Sequence, residues 1–288
     1  MNTTIAERTG FDRPSFFQKL LRQKMALAGG ICILAWLAIG LLSFFYTPYS
    51  PTEVAMGEKL LAPSTTHLMG TDNFGRDILS RMMCGARISL LLGFVAVSIS
   101  LCIGIPLGAF SGYYQGNLSA LIMRVMDSLQ AFPMLILVMS ISVALGRNSF
   151  SAMLAVGIAG IPNFARLMYA QTLSVKQSPF IEGELAIGLP RSLILRRHIL
   201  PNCITPILVR LSLSLGSAIL TISSLSFLGI GVQPPTPEWG YMISEARGYI
   251  LTGEWWMIFF PGLAIASLVL SFNLFGDGLR DALDYRIS

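Results

Sequence analysis

Hydrophobic positions along this chain fall in long unbroken runs. Six stretches carry no charged residue over eighteen or more positions: 25–52, 88–123, 128–146, 148–165, 211–237 and 255–276. About 20 apolar residues in a helix cross roughly 30 Å of hydrocarbon, so each stretch can supply one span. A membrane barrel would show alternating polarity, which these runs lack. The predicted fold is an all-α polytopic membrane protein with six transmembrane helices. Gly146-Arg147-Asn148 reads as a tight turn between the third and fourth spans, and Ser111 to Asn117 as the loop ending the second. Pro133 is expected to kink the third span, and Arg124 and Asp127, three apart, to pair on one helix face. The first run is too long for a signal-peptide core and reads as a retained span.

Composition agrees with the pattern. The 288 residues are 53% hydrophobic and 12% charged, about half the charged fraction of a soluble domain. Cys32, Cys84, Cys102 and Cys203 form no C-x-x-C pair and read as packing residues. Orientation follows the lysine and arginine bias. With the N-terminus inside, twelve basic residues fall on the cytoplasmic side and six outside, with Arg166 and Arg210 near span ends. Both termini are therefore expected in the cytoplasm. Arg166 and Arg210 are expected to snorkel to the headgroups. His67 and His198 then lie on opposite sides, and no metal site is expected. Residues 1–24 mix apolar and basic positions and are compatible with a surface helix or a frayed tail.

Between the fourth and fifth runs lies the longest polar segment of the C-terminal two-thirds, FIEGELAIGLPRSLILRRHILP (Phe180–Pro201). Glu182 to Ile187, including Glu184, should form a short helix. Gly188 permits a positive φ, and Pro190 suits the first position of a second helix carrying Arg191, Arg196, Arg197 and His198. Pro201 should then reset the chain. Two short helices with a sharp bend make a docking knob, expected to lie in water and to pack little of the transmembrane core.

Glu182, Gly188 six residues on, and Leu200-Pro201 resemble the E-A-A…G…LP coupling loop of ABC-importer permeases. Gly183 and Glu184 stand where that family usually has alanines, and Leu189-Pro190 replaces Ala-Ser. A second segment, His67-Leu68-Met69-Gly70-Thr71-Asp72-Asn73-Phe74-Gly75-Arg76-Asp77, resembles the outer signature of the dipeptide/oligopeptide/nickel group, specifically its C-type permease subunit. Gly70 and Gly75 permit turns, while Asp72, Arg76 and Asp77 can form a local charge network that folds the outer segment. The run from Leu225 through Gln233, Pro234, Pro235, Trp239 and Gly240 is similar to the same group's LSFLG-x-G-x-QPP-x-P-x-WG segment. Trp239, Trp255 and Trp256 suit an interfacial belt. The ending from Asn273 to Asp284 is similar as well, so the resemblance spans nearly the whole chain.

The resemblance implies a type I ABC-importer permease of the bacterial inner membrane. Its expected divisions are a cytoplasmic segment 1–24, a permease domain 25–276 and a tail 277–288. Within the domain lie the outer segment 47–86, the coupling loop 173–201 and the outer loop 232–254. Implied partners are a second homologous permease, two ABC ATPase subunits, an extracytoplasmic binding protein and membrane lipid, with no nucleic acid. No Gly-Lys-Ser/Thr loop is present, since none of Lys19, Lys24, Lys59 and Lys176 follows a glycine. ATP and Mg are thus expected on partner subunits, with no cofactor bound by this chain and no catalytic residue in it. Peptides are the first expectation for cargo, with glutathione, nickel or a metal chelate as alternatives. The rival class is a non-ABC channel or receptor subunit. An intramembrane enzyme lacks any H-E-x-x-H or G-x-S-x-G constellation.

Overall fold

The computed structural model describes residues 23–55 and 58–283, and the fold is helical throughout these. The expected N-terminal surface helix lies outside the described residues apart from Gln23 and Lys24, as does the end of the tail beyond Leu283. Among the described residues, five helices are long and apolar enough to span a bilayer: α1 (Lys24–Leu42), α2 (Ile78–Tyr114), α5 (Ser149–Lys176), α8 (Ile204–Phe227) and α10 (Trp256–Leu283). Between α2 and α5 stand α3 (Asn117–Gln130) and α4 (Met134–Leu145). Two short helices, α6 (Pro179–Ala186) and α7 (Arg191–Ile194), fill the segment between α5 and α8, and α9 (Trp239–Ala246) precedes α10.

The third span departs from expectation. Residues 128–130 belong to α3, and the chain turns by 96° before α4 begins. Pro133 has no N–H to donate and disfavours a helical conformation in the residue before it, so the helix breaks here instead of kinking. With twelve residues, α4 reaches only about 18 Å, short of a full crossing. Counted as one broken span, the bent pair brings the candidate spans among the described residues from five to six. Asp127 also finds a different partner: its carboxylate pairs with Arg166 of α5, not with Arg124. Arg166 is thus ion-paired at the surface.

The second span is one continuous 37-residue helix, about 55 Å long, that takes in Ser111–Tyr114, expected as part of the loop ending it. Asp77 caps it, accepting from the Ser80 amide. Along α2 the residues Ala96, Ser100, Gly104, Gly108 and Gly112 recur every fourth position and face α5. A Cβ on Gly104 would lie 2.7 Å from the Ile161 carbonyl oxygen, and one on Gly108 would strike that of Ala165. The Ser100 hydroxyl donates to the Gly157 carbonyl at 2.6 Å. In lipid, where apolar surface gains little by leaving its solvent, such close backbone approach is what joins helices. The α2–α5 seam is the spine of the molecule. One apolar cluster lies between α2, α4, α5 and α8, and a second joins α1, α2, α9 and α10.

Candidate functional site

At the C-terminal end of α5 the chain builds the knob. Pro179 opens α6 and Gly188 ends the bend at φ 78°, a left-handed conformation that side chains with a Cβ resist. Pro190 is the N-cap of α7 and not its first helical residue. The helix also runs on past the expected stop: a π-helical turn covers Leu195–Ile199, and Leu200–Asn202 continue it. Pro201 cannot donate to a carbonyl four residues back, and the wider π turn just ahead of it accommodates that missing bond. The chain resets at Cys203 instead.

The knob is not loosely held in water, contrary to expectation. Ile181, Ile194, Ile199 and Cys203 are completely buried, packed with Tyr113 of α2 and Met168 of α5. Burial pushes the Cys203 thiol up to about 11, so it stays protonated and acts as a packing group. The two arms are also tied by Glu184, whose carboxylate lies 2.8 Å from His198 Nδ1. Lys176 Nζ donates to the Tyr113 carbonyl at 2.8 Å. Above this base the tip is open. Phe180, Leu185, Ile187 and Leu193 are exposed, Ile187 to 78%, and Glu182, Arg191, Arg196 and Arg197 surround them in solvent. Nothing lies within 4 Å of where a Gly188 Cβ would sit. An apolar centre with a charged rim on a rigid base is the anatomy of a protein-docking surface.

At the opposite end of α2, the His67–Asp77 segment folds against α9. Gly70 and Gly75 have φ of 78° and 76°, and a side chain on Gly75 would collide with the Ala55 carbonyl. The expected local network is in fact two assemblies. Asp77 accepts from the Ser80 amide and hydroxyl and lies 3.0 Å from His67 Nδ1. Asp72 belongs to a closed ring. Arg76 Nε is 2.6 Å and Arg81 Nε 3.5 Å from Asp72, while the other ends of both guanidinium groups reach Glu245 at 2.8 and 2.7 Å. Burial alone would lower the Arg76 pKa, but the Glu245 hydrogen bond and the Asp72 and Glu245 charges raise it above its usual value. All four ring residues are nearly inaccessible. Thr71 accepts the Trp256 indole N–H at its carbonyl, 3.2 Å away.

Glu245 and Arg81 were not legible as partners, since 164 positions separate them. The one hint is that Glu245 is the sole acidic residue between Trp239 and Gly253. Glu238 was also missed: fully buried, it caps α9 through the Tyr241 amide and accepts from Ser223 of α8 at 2.7 Å. The turn expected on the outer face closes on itself, with Gln233 Nε2 donating to the Gly229 and Gly231 carbonyls at 3.2 Å and Pro234-Pro235 joined by a cis bond. Gly240 lets α9 approach the Ser223 backbone. The expected interfacial belt reduces to Trp255. Trp239 is wholly buried, donating to the Met82 carbonyl at 3.2 Å, and Trp256 is 7% exposed. Both indoles gain more from packing with satisfied N–H groups than an interface would offer.

Spanning helices joined at a small-residue seam, with an exposed apolar knob at one end, define a helical membrane protein with a surface suited to docking. The comparisons make this specific. Residues 104–288 match the family described as "Binding-protein-dependent transport system inner membrane component". The dipeptide transport system permease protein DppC of Alkalihalophilus pseudofirmus is 41% identical over 93% of this chain and 88% of its own. The glutathione transport system permease protein GsiD of Pectobacterium atrosepticum is 42% identical, over 94% and 90%. The probable D,D-dipeptide permease DdpC of Escherichia coli K12 is 38% identical, over 96% and 93%. A chain of the MetNI methionine ABC transporter, solved in inward-facing conformations, shares the fold at a TM-score of 0.58 and 18% identity, over 70% of this chain and 96% of that one. The chain belongs to the binding-protein-dependent transport system inner membrane component family. It is a multi-pass ABC-transporter permease subunit, a pore component and not an enzyme.

Proposed function

We propose that this permease forms half of the pathway of an ATP-driven importer for di- and oligopeptides. A second homologous permease supplies the other half, two ABC ATPases bind ATP and Mg, and an extracytoplasmic protein delivers cargo. The knob within residues 173–201 is the ATPase contact, and both termini face the cytoplasm. The observation that carries this reading is the exposed apolar tip of the knob on its buried base. A rigid base that packs against α2 and α5 can pass a push on the tip directly to the spanning helices, as alternating access requires. An ordinary inter-helix loop gains nothing from exposing Ile187 and Leu193 to water. The lysine and arginine bias supports the orientation independently. Peptide is preferred to nickel or a metal chelate because the relatives named above carry dipeptides or glutathione in their names, and glutathione is itself a peptide.

The test is uptake of labelled dialanine into vesicles holding the complete transporter and its binding protein. Uptake is expected only with hydrolysable ATP inside the ATPase compartment, with competition by other dipeptides and none by nickel. ATP-independent uptake would support the channel class instead.

A further inference from the structure

Helix α8 carries polar residues at 210, 214, 217, 221 and 224, a spacing of three or four that places Arg210, Ser214, Ser217, Thr221 and Ser224 on one face. None of the five is buried in this chain. The Ser217, Thr221 and Ser224 hydroxyls donate to carbonyls four residues back in α8, so on this face Arg210 is the group that most needs water or a polar partner from outside the helix. Arg210 stands out within it. Its Nε is buried without a hydrogen-bond partner, and no carboxylate among the described residues is within ion-pair distance of its guanidinium. The buried Arg76 and Arg81 and the surface Arg166 each meet a carboxylate, and the partly buried Arg87 lies over the Phe44 ring, whereas Arg210 has neither kind of partner among the described residues.

Two cavities meet at this side chain. One, of about 130 Å³, runs inward among Ser100, Asn163, Ser214 and Ser217. The other, of about 430 Å³, opens toward the knob end and is lined by Gln171, Thr205 and Arg280 as well as Arg210. The larger falls within the usual size range of small-molecule sites and contains no acidic side chain in its lining. An ionised residue near the end of a membrane span that faces a cavity and lacks a protein partner is suited to a substrate route, where water or a ligand relieves its desolvation.

We infer that Arg210 is an anion-binding residue of the translocation route and receives the free carboxylate of the peptide cargo. This rests on the peptide reading above. Arg210 pairs with the carboxylate as the pathway opens toward the knob end, with Asn163 and the α8 hydroxyls offering weaker polar contacts. Arg280 shares the lower cavity and adds positive potential where the cargo leaves.

The experiment uses the assembled transporter in nanodiscs, with Cys32 and Cys102 replaced by alanine and Ser214→Cys introduced one turn from Arg210. Labelling of the introduced thiol by an anionic and a cationic thiosulfonate is followed on this chain by mass spectrometry. The anionic reagent should react about tenfold faster relative to its rate on a free thiol, the scale set by one unit charge roughly 6 Å away in a partly aqueous cavity. Arg210→Gln should abolish the preference and Arg210→Lys should keep it. Dialanine should slow anionic labelling about threefold or more, and dialanine amide should not. A thiol that does not react, or reacts without charge preference while Arg210 is present, would overturn the assignment. A preference that needs Arg210 but ignores dialanine would overturn the cargo carboxylate as its ligand. Absence of dialanine uptake by the unmodified transporter would instead remove the peptide reading.

Discussion

Single residues decide how the two ends of the molecule are held. The Asp72–Arg76–Glu245–Arg81 ring ties the segment before α2 to α9, and its members are nearly shut off from water. Removing one member leaves a buried charge uncompensated, which typically costs about 3–5 kcal/mol. Arg76→Ala and Glu245→Ala should each sharply lower the yield and the thermal stability of the purified complex. The double replacement should cost less than the sum of the two, and the order in which peptides compete for uptake should not change. A stable Arg76→Ala complex with altered peptide preference would show that the ring touches cargo. At the knob, Ile199→Ala removes a fully buried side chain, a loss of about 2–5 kcal/mol of local packing. Trypsin should then cut after the exposed Arg196 or Arg197 many-fold faster, while the spanning helices stay protected. Unchanged cleavage would mean that the knob is held by something other than Ile181, Ile194 and Ile199.

At the scale of elements, the bend between α6 and α7 separates two functions in one loop: buried isoleucines face the bundle and apolar side chains face outward. Gly188 sits at the turn between them. A β-branched residue there is strained by roughly 1–2 kcal/mol or more in a left-handed conformation, yet meets no atom of this chain. Gly188→Val should therefore leave membrane insertion intact and cripple ATP-driven uptake, with weakened ATPase association. Glu182→Ala, which removes an exposed charge, should lower uptake only mildly. Normal uptake by the Gly188→Val complex would remove the knob as the coupling element. The two arms also depend on each other through Glu184 and His198, so α6 and α7 move as one piece under this reading.

Over the whole molecule, a single rod, α2, connects the charge ring to the knob, and α5 is locked to it by close backbone contact. Under the proposed function, a push on the knob would reach this helix pair, which also borders the smaller Arg210 cavity. The orientation of this rod is open to a direct check. A reporter active only outside the cytoplasm should be active when fused after Gly146 or Thr252 and silent after Gln177. The reverse pattern would overturn both the orientation and the assignment of the knob to the ATPases.

Much of this was readable along the chain. Charge-free runs mark spans because lipid cannot satisfy ionised groups, and that depends on composition alone. Gly70, Gly75 and Gly188 were identifiable as turn positions because their demand is local to the backbone, and each has a positive φ. Pro133 was identifiable as a disruption, but whether a proline kinks or breaks a helix depends on what the two halves pack against. The same limit applies to partners. Asp127 faces Arg166 across α3 and α5, and Arg76 and Arg81 share a carboxylate from α9, pairings set by helix packing and invisible to sequence spacing. Trp239 and Trp256 looked interfacial by residue type, but neighbouring carbonyls satisfied their N–H groups inside the bundle. Burial of Ile181, Ile194 and Ile199 likewise required α2 and α5 to arrive beside the knob. Local backbone demands and hydrophobic length are written in consecutive residues. Partner choice and burial are settled only when distant segments compete for the same enclosed space.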